Sequence, residues 1–370
     1  MKKDGQQMTE FGQRLNKLQA AVDAAGVDLV AIGPMANMHY LAGFTPHADE
    51  RVCLLLISAQ AISAVVPKLN AAEWSAHTDI PPHIWPDDEG PHEALKAALL
   101  DMPPVKKLAI DGAMRADFLL PLMAATTPQE IIPVETLIAP LRSRKSLEEI
   151  EALSRAAAQA DRAMQAAIDA CQPGVAEASI AWAAEEAFRL DGAEEVCFTL
   201  VASGPNGAHP HHHSGNRLLQ HGDAIIIDIG ASLGDYKSDI TRMAFLGEPS
   251  AEFLKAYHAV LEANERARSA VQPGITAQGL DQVARGTLDA AGYAEYFVHR
   301  TGHGLGLEIH EPPWIMAGNE QVLEEGMVFS VEPGVYIPGQ FGVRIEDIVV
   351  VTETGVRTLT GFDHQLVIKQ

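Results

Sequence analysis

Four carboxylates and one imidazole, Asp228, Asp239, His303, Glu332 and Glu346, constrain the fold of this chain more than any other feature. They stand in the contexts IIIDIG, SDITR, TGHGLGLEIHEPP, SVEPGVY and GVRIED, several of them apolar or glycine-rich. An unpaired carboxylate in apolar surroundings is expensive, so each one needs a cation nearby. Oxygen ligands with a single imidazole suit divalent Mn, Co, Fe or Zn, whereas a sulfur-rich set points to structural zinc. Two dications balance four carboxylates and, with a bridging hydroxide, leave the group close to neutral; one ion leaves it strongly anionic. Order and spacing are those of a two-metal hydrolytic site. Arg344 offers Glu346 a metal-free partner, but that salt bridge leaves Glu332, Asp228 and Asp239 unexplained.

Asp228 and Asp239 are eleven apart (239 − 228) and joined by the polar, glycine-containing stretch GASLGDYKS. Two strands linked by such a turn set both carboxylates side by side at a sheet face. Aspartates next to glycine are common turn residues, so the weight rests on the five positions together. His303 is flanked by Gly302, Gly304 and Gly306, where backbone can approach a neighbour closely.

At 370 residues the chain is too long for one ordinary core and suits two domains. A hydrophobic share of 47% with 21% charged residues describes a globular protein rather than a disordered one. A formal charge of -22 repels nucleic acid phosphates and anionic lipids, so neither nucleic acid nor membrane is expected as a partner. Cys53, Cys171 and Cys197 are too scattered for a disulfide framework and read as buried, reduced thiols. The N-terminal MKKDGQQMTEFGQRL has no apolar run of signal-peptide type, and no stretch approaches the ~20 apolar residues of a membrane span. The expected compartment is the cytoplasm.

The segment from Glu10 to Ala25 repeats Phe11, Leu15, Leu18 and Val22 at helical spacing and stops at Gly26. VDLVAIG and VCLLLIS read as buried strands, LAIDG as a further apolar stretch and HEALKAALL as a helix, which together give a small α/β domain. Ser146 and Glu149 have capping-box spacing at the head of an alanine-rich helix. The boundary therefore falls near Leu141 to Lys145, with domains over 1–141 and 142–370. Beyond it the pattern gives a helix through Trp182 to Leu190, strands at VCFTLVASG, AIIIDIG and SDITRMAFL, and helices at Ala251 to Val271 and Ala277 to Ala291. Strands VFSVEPGVY and GVRIEDIVVVTETG follow. Pro173 to Val175 and Pro273 to Ile275 repeat one motif between helices, which hints at an internal duplication.

With these motifs the chain resembles the pita-bread metallopeptidases, the group of methionine aminopeptidase, aminopeptidase P and prolidase, with creatinase as a metal-free relative. The likeness covers essentially the whole chain, including a creatinase-type N-terminal domain. It implies an α/β (α+β) architecture with a pseudo-twofold pita-bread catalytic domain. It further implies that Asp228 holds one ion, that His303 and Glu332 hold the other, and that Asp239 and Glu346 bridge them. Manganese is the favoured metal by the same resemblance. A substrate-binding histidine is implied 17 residues before the first aspartate, at His211 (228 − 17), within a run that also holds His209, His212 and His213. His212 departs from the common prolidase form, where glycine follows. His299 and His310 match histidines that contact substrate and move protons, with satisfied core histidines as the competing reading. Glu332 is the candidate base, His211 or His310 would stabilise the oxyanion, and Arg344 would position acidic groups or substrate.

The implied activity is a binuclear-metal exopeptidase that hydrolyses Xaa-Pro bonds in short peptides by a metal-bridging hydroxide, as prolidase or aminopeptidase P. The alternatives are hydrolysis of a small non-peptide amide or amidine, and a non-catalytic binding protein. The resemblance also implies a homodimer, with NMHYLAGF (Asn37 to Phe44) as the segment similar to the family's cleft-facing stretch.

Overall fold

The computed structural model of the chain describes residues 9–370. The beginning of the N-terminal stretch read above as lacking a signal peptide lies outside them. The chain forms two compact units, Met1–Arg142 and Ser143–Gln370.

The first unit carries a six-stranded mixed sheet built from β1 (Leu29–Ile32), β2 (Leu54–Ile57), β3 (Ile62–Pro67), β4 (Pro82–Trp85), β5 (Lys107–Ile110) and β6 (Glu130–Pro133). Their spatial order is β4-β3-β2-β1-β5-β6. Helix α1 (Glu10–Ala24) begins where Thr9 Oγ1 accepts the Gly12 N–H, and it buries Leu15, Leu18 and Val22 at the expected spacing. Helices α2 (Ala36–Ala42), α3 (Ala71–His77), α4 (His92–Leu99), α5 (Ala116–Thr126) and α6 (Glu135–Ser143) complete the set. Of these only α4 was anticipated; Pro121 and Pro140 sit inside α5 and α6 and interrupt the local helix signal. In the Asn37–Phe44 segment, Tyr40 donates to the Leu141 carbonyl and Phe44 stacks on His77, both within this unit.

The second unit is built twice on one plan. Helices α7 (Leu147–Ala170) and α8 (Glu177–Leu190) precede β7 (Glu195–Ser203), β8 (Ala224–Leu233), β9 (Tyr236–Lys237) and β10 (Ile240–Leu246). Helices α9 (Ala251–Ala270) and α10 (Ala277–Ala290) precede β11 (Gly302–Gly304), β12 (Glu311–Ile315), β13 (Val328–Val331), β14 (Gly334–Ile337), β15 (Phe341–Arg344), β16 (Asp347–Thr352), β17 (Gly355–Thr358) and β18 (Val367–Lys369). The repeated motif makes the same turn each time: Gly174 (φ 82°) donates to the Leu219 carbonyl, and Gly274 (φ 96°) donates to that of Leu323. One sheet runs β18-β10-β8-β7 and the other β12-β11-β13-β16-β17, while β14 and β15 pair as a separate hairpin.

Period-two alternation in β8 decides where its carboxylate goes. Ile225, Ile227, Ile229 and Ala231 enter the core with α7 and α8, which leaves Ala224, Ile226 and Asp228 for the opposite face. A one-residue slip in register would turn Asp228 into the aliphatic core.

Two long strand readings are corrected. VFSVEPGVY breaks at Glu332–Pro333 into β13 and β14, and GVRIEDIVVV breaks at Ile345–Glu346 into β15 and β16. The cause is a change of partner: β13 pairs with β16 in the large sheet, whereas β14 pairs with β15 in the hairpin. Glu346 therefore lies between strands and not within one.

The capping box at the head of α7 is complete: Glu149 N–H donates to Ser146 Oγ and Ser146 N–H donates to the Glu149 carboxylate. Ser146→Ala is expected to destabilise the second unit by about 1 kcal/mol, read from the urea midpoint, with metal content unchanged.

Candidate metal centre

A cavity of about 720 Å³ in the second unit is lined by Asp228, Asp239, His303, Glu332 and Glu346, and also by His211, His299, His310 and Arg344. Every site position read from the sequence thus reaches one space. The two aspartates are brought together by a hairpin whose turn residues, Gly234 and Asp235, both have positive φ (59° and 68°), the geometry that suits the twist of paired strands. Asp239 stands at the entry to β10, and Thr241 lies directly across from Asp228 on β8.

His303 occupies the centre of β11 because its neighbours have no side chain. A Cβ on Gly302 would lie 1.8 Å from the Ser330 carbonyl oxygen, and one on Gly304 would lie 2.3 Å from that of Pro312. The ring Nδ1 is 3.1 Å from the Gly304 carbonyl, which can only accept, so Nδ1 carries the proton. Nε2 then turns its lone pair toward Glu332 Oε1 at 3.3 Å and Asp239 Oδ2 at 3.7 Å. Lone pairs in that arrangement repel unless a cation or a proton sits among them.

Asp239, His303 and Glu346 each offer a ligand atom within 4.8 Å of the others. Buried Asp228 Oδ1 and Glu346 Oε1 have no hydrogen-bond partner among the described residues. Burial, followed by the charges of Glu346, Asp228 and Glu332, pushes the Asp239 carboxyl well above its usual range. Burial, followed by Glu332 and Asp228, does the same to Glu346. At Glu332 burial works in the same direction, but when a proton occupies His303 Nε2 its hydrogen bond and charge hold the carboxyl down to about 2. Oxygen donors with one imidazole, orphaned acceptors and mutually opposed carboxylates fit divalent cations well.

Arg344 does not pair with Glu346, contrary to the metal-free alternative. Its guanidinium reaches Asp228 Oδ2, Thr241 Oγ1 at 3.1 Å and Tyr336 Oη at 2.8 Å. Glu346 Oε2 instead accepts from Thr241 Oγ1 at 2.8 Å. The adjacent Asp347 points the other way, into Arg242 (2.8 Å), Arg268 (3.2 Å) and His364 (2.7 Å). Despite its burial, the His364 hydrogen bond and the Arg242 charge hold that carboxyl well below the usual range. Neighbouring acids in one motif therefore have opposite fates.

Burial, then the charge that His303 carries when doubly protonated and that of Arg300, pushes the His310 pKa down to about 4. His299 Nε2 lies 2.8 Å from Tyr336 Oη, and burial lowers its pKa as well. His212 and His213 also line the cavity, whereas His209 is not among its lining residues. Cys53 and Cys171 are buried free thiols, but Cys197 is a correction: it is only partly buried, because its place on β7 faces the cavity.

The sequence reading missed Thr241, Ser330, Tyr336 and Arg300. Thr241 and Ser330 carried a signal, since each lies two residues from a carboxylate, Asp239 and Glu332, and strand periodicity puts such pairs on one face. Arg300, stacked on Trp314 with its guanidinium 4.4 Å from the ring, carried none.

Residues 151–353 match the model of metallopeptidase family M24, and residues 14–144 match the creatinase/prolidase N-terminal domain. The chain belongs to metallopeptidase family M24. It has the expected fold class, a creatinase-type α/β domain followed by the family's catalytic domain, and it is a peptidase. A probable dipeptidase PepE of Mycobacterium tuberculosis is 40% identical over 97% of this chain and 96% of that protein. An Xaa-Pro dipeptidase of Pyrococcus furiosus is 35% identical over 96% of this chain and 99% of that protein. The crystal structure of dipeptidase PepE from Mycobacterium ulcerans superposes with a TM-score of 0.91 at 38% identity, covering 97% of this chain and 98% of that one. Family membership implies divalent metal cofactors and peptide substrates. Among the described residues no helix is long and apolar enough to cross a membrane.

The raised carboxyls set a pH dependence. A group whose folded pKa lies above its unfolded value contributes stability below the ordinary carboxylate range and loses it as pH rises through the folded value. Metal-stripped protein is expected to lose stability as pH rises from about 4 toward neutrality, and added Mn(II) to restore progressively more over the same window while displacing protons. Scanning calorimetry with and without Mn(II) checks this; a gap between the two midpoints that narrows as pH rises contradicts it.

Proposed function

We propose that the chain is a metal-dependent exopeptidase acting on Xaa-Pro bonds, with two divalent ions at the candidate centre. The observation that carries this is the convergence of four carboxylates and His303 on one cavity whose wall also bears His211, His299, His310 and Arg344. Asp228 would hold one ion, His303 and Glu332 the other, and Asp239 and Glu346 both. When bound, such ions polarise a scissile carbonyl and lower the pKa of a shared water toward neutrality.

The protein's own groups do the rest. Glu332, 3.3 Å from His303 and on the cavity wall, is the candidate to take the proton of the attacking water. His211 and His310 line the same space and would steady the developing oxyanion. Arg344, tied to Asp228, Thr241 and Tyr336, fixes Asp228 Oδ2, while Oδ1 has no hydrogen-bond partner among the described residues. A bond before proline is a tertiary amide without an N–H, which hampers proteases that read backbone by strand pairing. A site that grips the carbonyl and the leaving nitrogen has no such need. The name of the Pyrococcus furiosus relative supports the Xaa-Pro assignment.

The proposal extends to domains over 1–141 and 142–370, to manganese as the metal, to a homodimer and to the cytoplasm. Free thiols at Cys53, Cys171 and Cys197 support a reducing compartment.

Elemental analysis after stripping and reloading with Mn(II) is expected to approach two equivalents per chain; saturation at one removes the bridging assignment. His303→Ala is expected to lower metal content. His211→Ala and His310→Ala are expected to keep the metals and lose about 10²-fold or more in kcat. A screen across Xaa-Pro dipeptides, Xaa-Pro-Yaa tripeptides, Met-Xaa peptides and small cyclic amides tests the substrate class, and activity confined to the last group overturns it. Light scattering should give twice the monomer mass.

A further inference from the structure

The strongest unassigned feature of the second unit is a buried carboxylate on the first turn of α8. Glu177 is fully buried, yet it carries an acid into the core beneath the loop that follows β7. Its Oε1 accepts from Ser203 N–H at 2.8 Å, Ser203 Oγ at 2.6 Å and Asn206 Nδ2 at 3.0 Å. Its Oε2 accepts from His212 Nε2 at 2.8 Å and from Gly215 N–H at 3.3 Å. One side chain therefore grips both ends of the loop between Ser203 and Gly215, and one of its grips falls on the residue directly after His211. Because Nε2 of His212 faces a carboxylate, it carries the proton and is committed to Glu177.

We propose that Glu177 is a positioning residue that holds the 203–215 loop so that His211 faces the metal cavity. This rests on the assignment of His211 to substrate binding made above. His211 itself is exposed, so its direction is set by the loop that bears it. Displacing such a group by about 1 Å is enough to cost on the order of 10²-fold in rate. Other bonds also restrain the loop: Arg217 donates to Ser203 Oγ, Ala178 N–H to the Gly215 carbonyl, Ser214 Oγ to the Thr199 carbonyl and Arg344 to the Pro210 carbonyl, but none of them holds the side chain of His212.

The duplicated half solves the same problem with a different residue. Its second helix, α10, has Ala277 where α8 has Glu177, and its buried acid is Asp281 instead. Asp281 accepts from Thr301 Oγ1 at 2.7 Å and from Arg285 Nε at 2.8 Å, and Arg285 donates in turn to the carbonyls of Phe297 and His299. In both halves a carboxylate inside the second helix fastens the segment that presents a cavity histidine.

Glutamine at 177 keeps one acceptor and turns an amide N–H₂ toward groups that themselves donate, so it releases one end of the loop without emptying the space. The test is a cycle of Glu177→Gln, His211→Ala and the double variant in the Mn(II)-loaded, full-length enzyme. Ala-Pro is the substrate, or Ala-Ala should Ala-Pro not be cleaved. Glu177→Gln is expected to lower kcat/KM about 10-fold when His211 is present and less than about 2-fold when it is replaced, since residues that act through one another are non-additive. Metal content should be unchanged, and the drop in thermal midpoint should be the same in both backgrounds. Equal loss of activity in both backgrounds, or no loss in either, overturns the proposal. A fully active His211→Ala would instead remove the underlying assignment of His211, and that outcome is read from the single variant alone. If Glu177→Gln does not fold, Asn206→Ala, which takes one donor from the same carboxylate and does not line the cavity, carries the cycle with a smaller expected loss and the same criteria.

Discussion

The second unit is organised around the cost of keeping several carboxylates together out of water. Moving one such ion into a medium of low dielectric costs of order 20 kcal/mol in the idealised limit and still several kcal/mol after relaxation. Asp239 and Glu346 are buried, and each is driven toward its protonated form by the other acids. A cluster like this is stable only as a receptacle for positive charge, which is why the two sheets, the hairpin and the glycine-flanked β11 all deliver their acids or their imidazole to the same space.

The pair Glu346 and Asp347 states the principle most compactly. Asp347 is met by two arginines, a histidine and Thr360, so its charge is fully matched within the protein. Glu346 receives one hydroxyl, and its other oxygen has no hydrogen-bond partner among the described residues. Arg242, which pairs with Asp347, also donates to the Glu346 backbone carbonyl, so the satisfied acid anchors the chain at the point where the unsatisfied one is presented. Thr241 and Arg344 extend this scaffold to Asp228 on the facing strand. Structural and functional carboxylates are thus separated by whether the protein itself supplies their counter-charge.

Duplication supplies the geometry. Each half contributes a helix pair, a sheet and a glycine turn of the same design, and each stations a buried acid behind a loop with a cavity histidine. The halves are not identical in what they give to the centre. The first supplies both aspartates from one hairpin. The second supplies His303 from the centre of β11 and the two glutamates from breaks between strands.

Much of this was legible in the sequence because it is local. Helical spacing of Leu15, Leu18 and Val22, the Ser146 and Glu149 cap, the apolar strand run around Asp228 and the glycines around His303 all depend on neighbours within a few positions. The family's motifs then pointed to the other residues that line the cavity. What only the tertiary structure decided was the partner of each charge: that Arg344 serves Asp228 and not Glu346, that Asp347 is matched while Glu346 is not, and that both glutamates stand at breaks between strands. Such choices are made by side chains a hundred or more residues apart in the chain, Arg344 and Asp228 at a separation of 116 and Glu346 and Thr241 at 105. A linear pattern carries the chemical capacity of each group, but the free energy of a buried charge is set by what surrounds it in space.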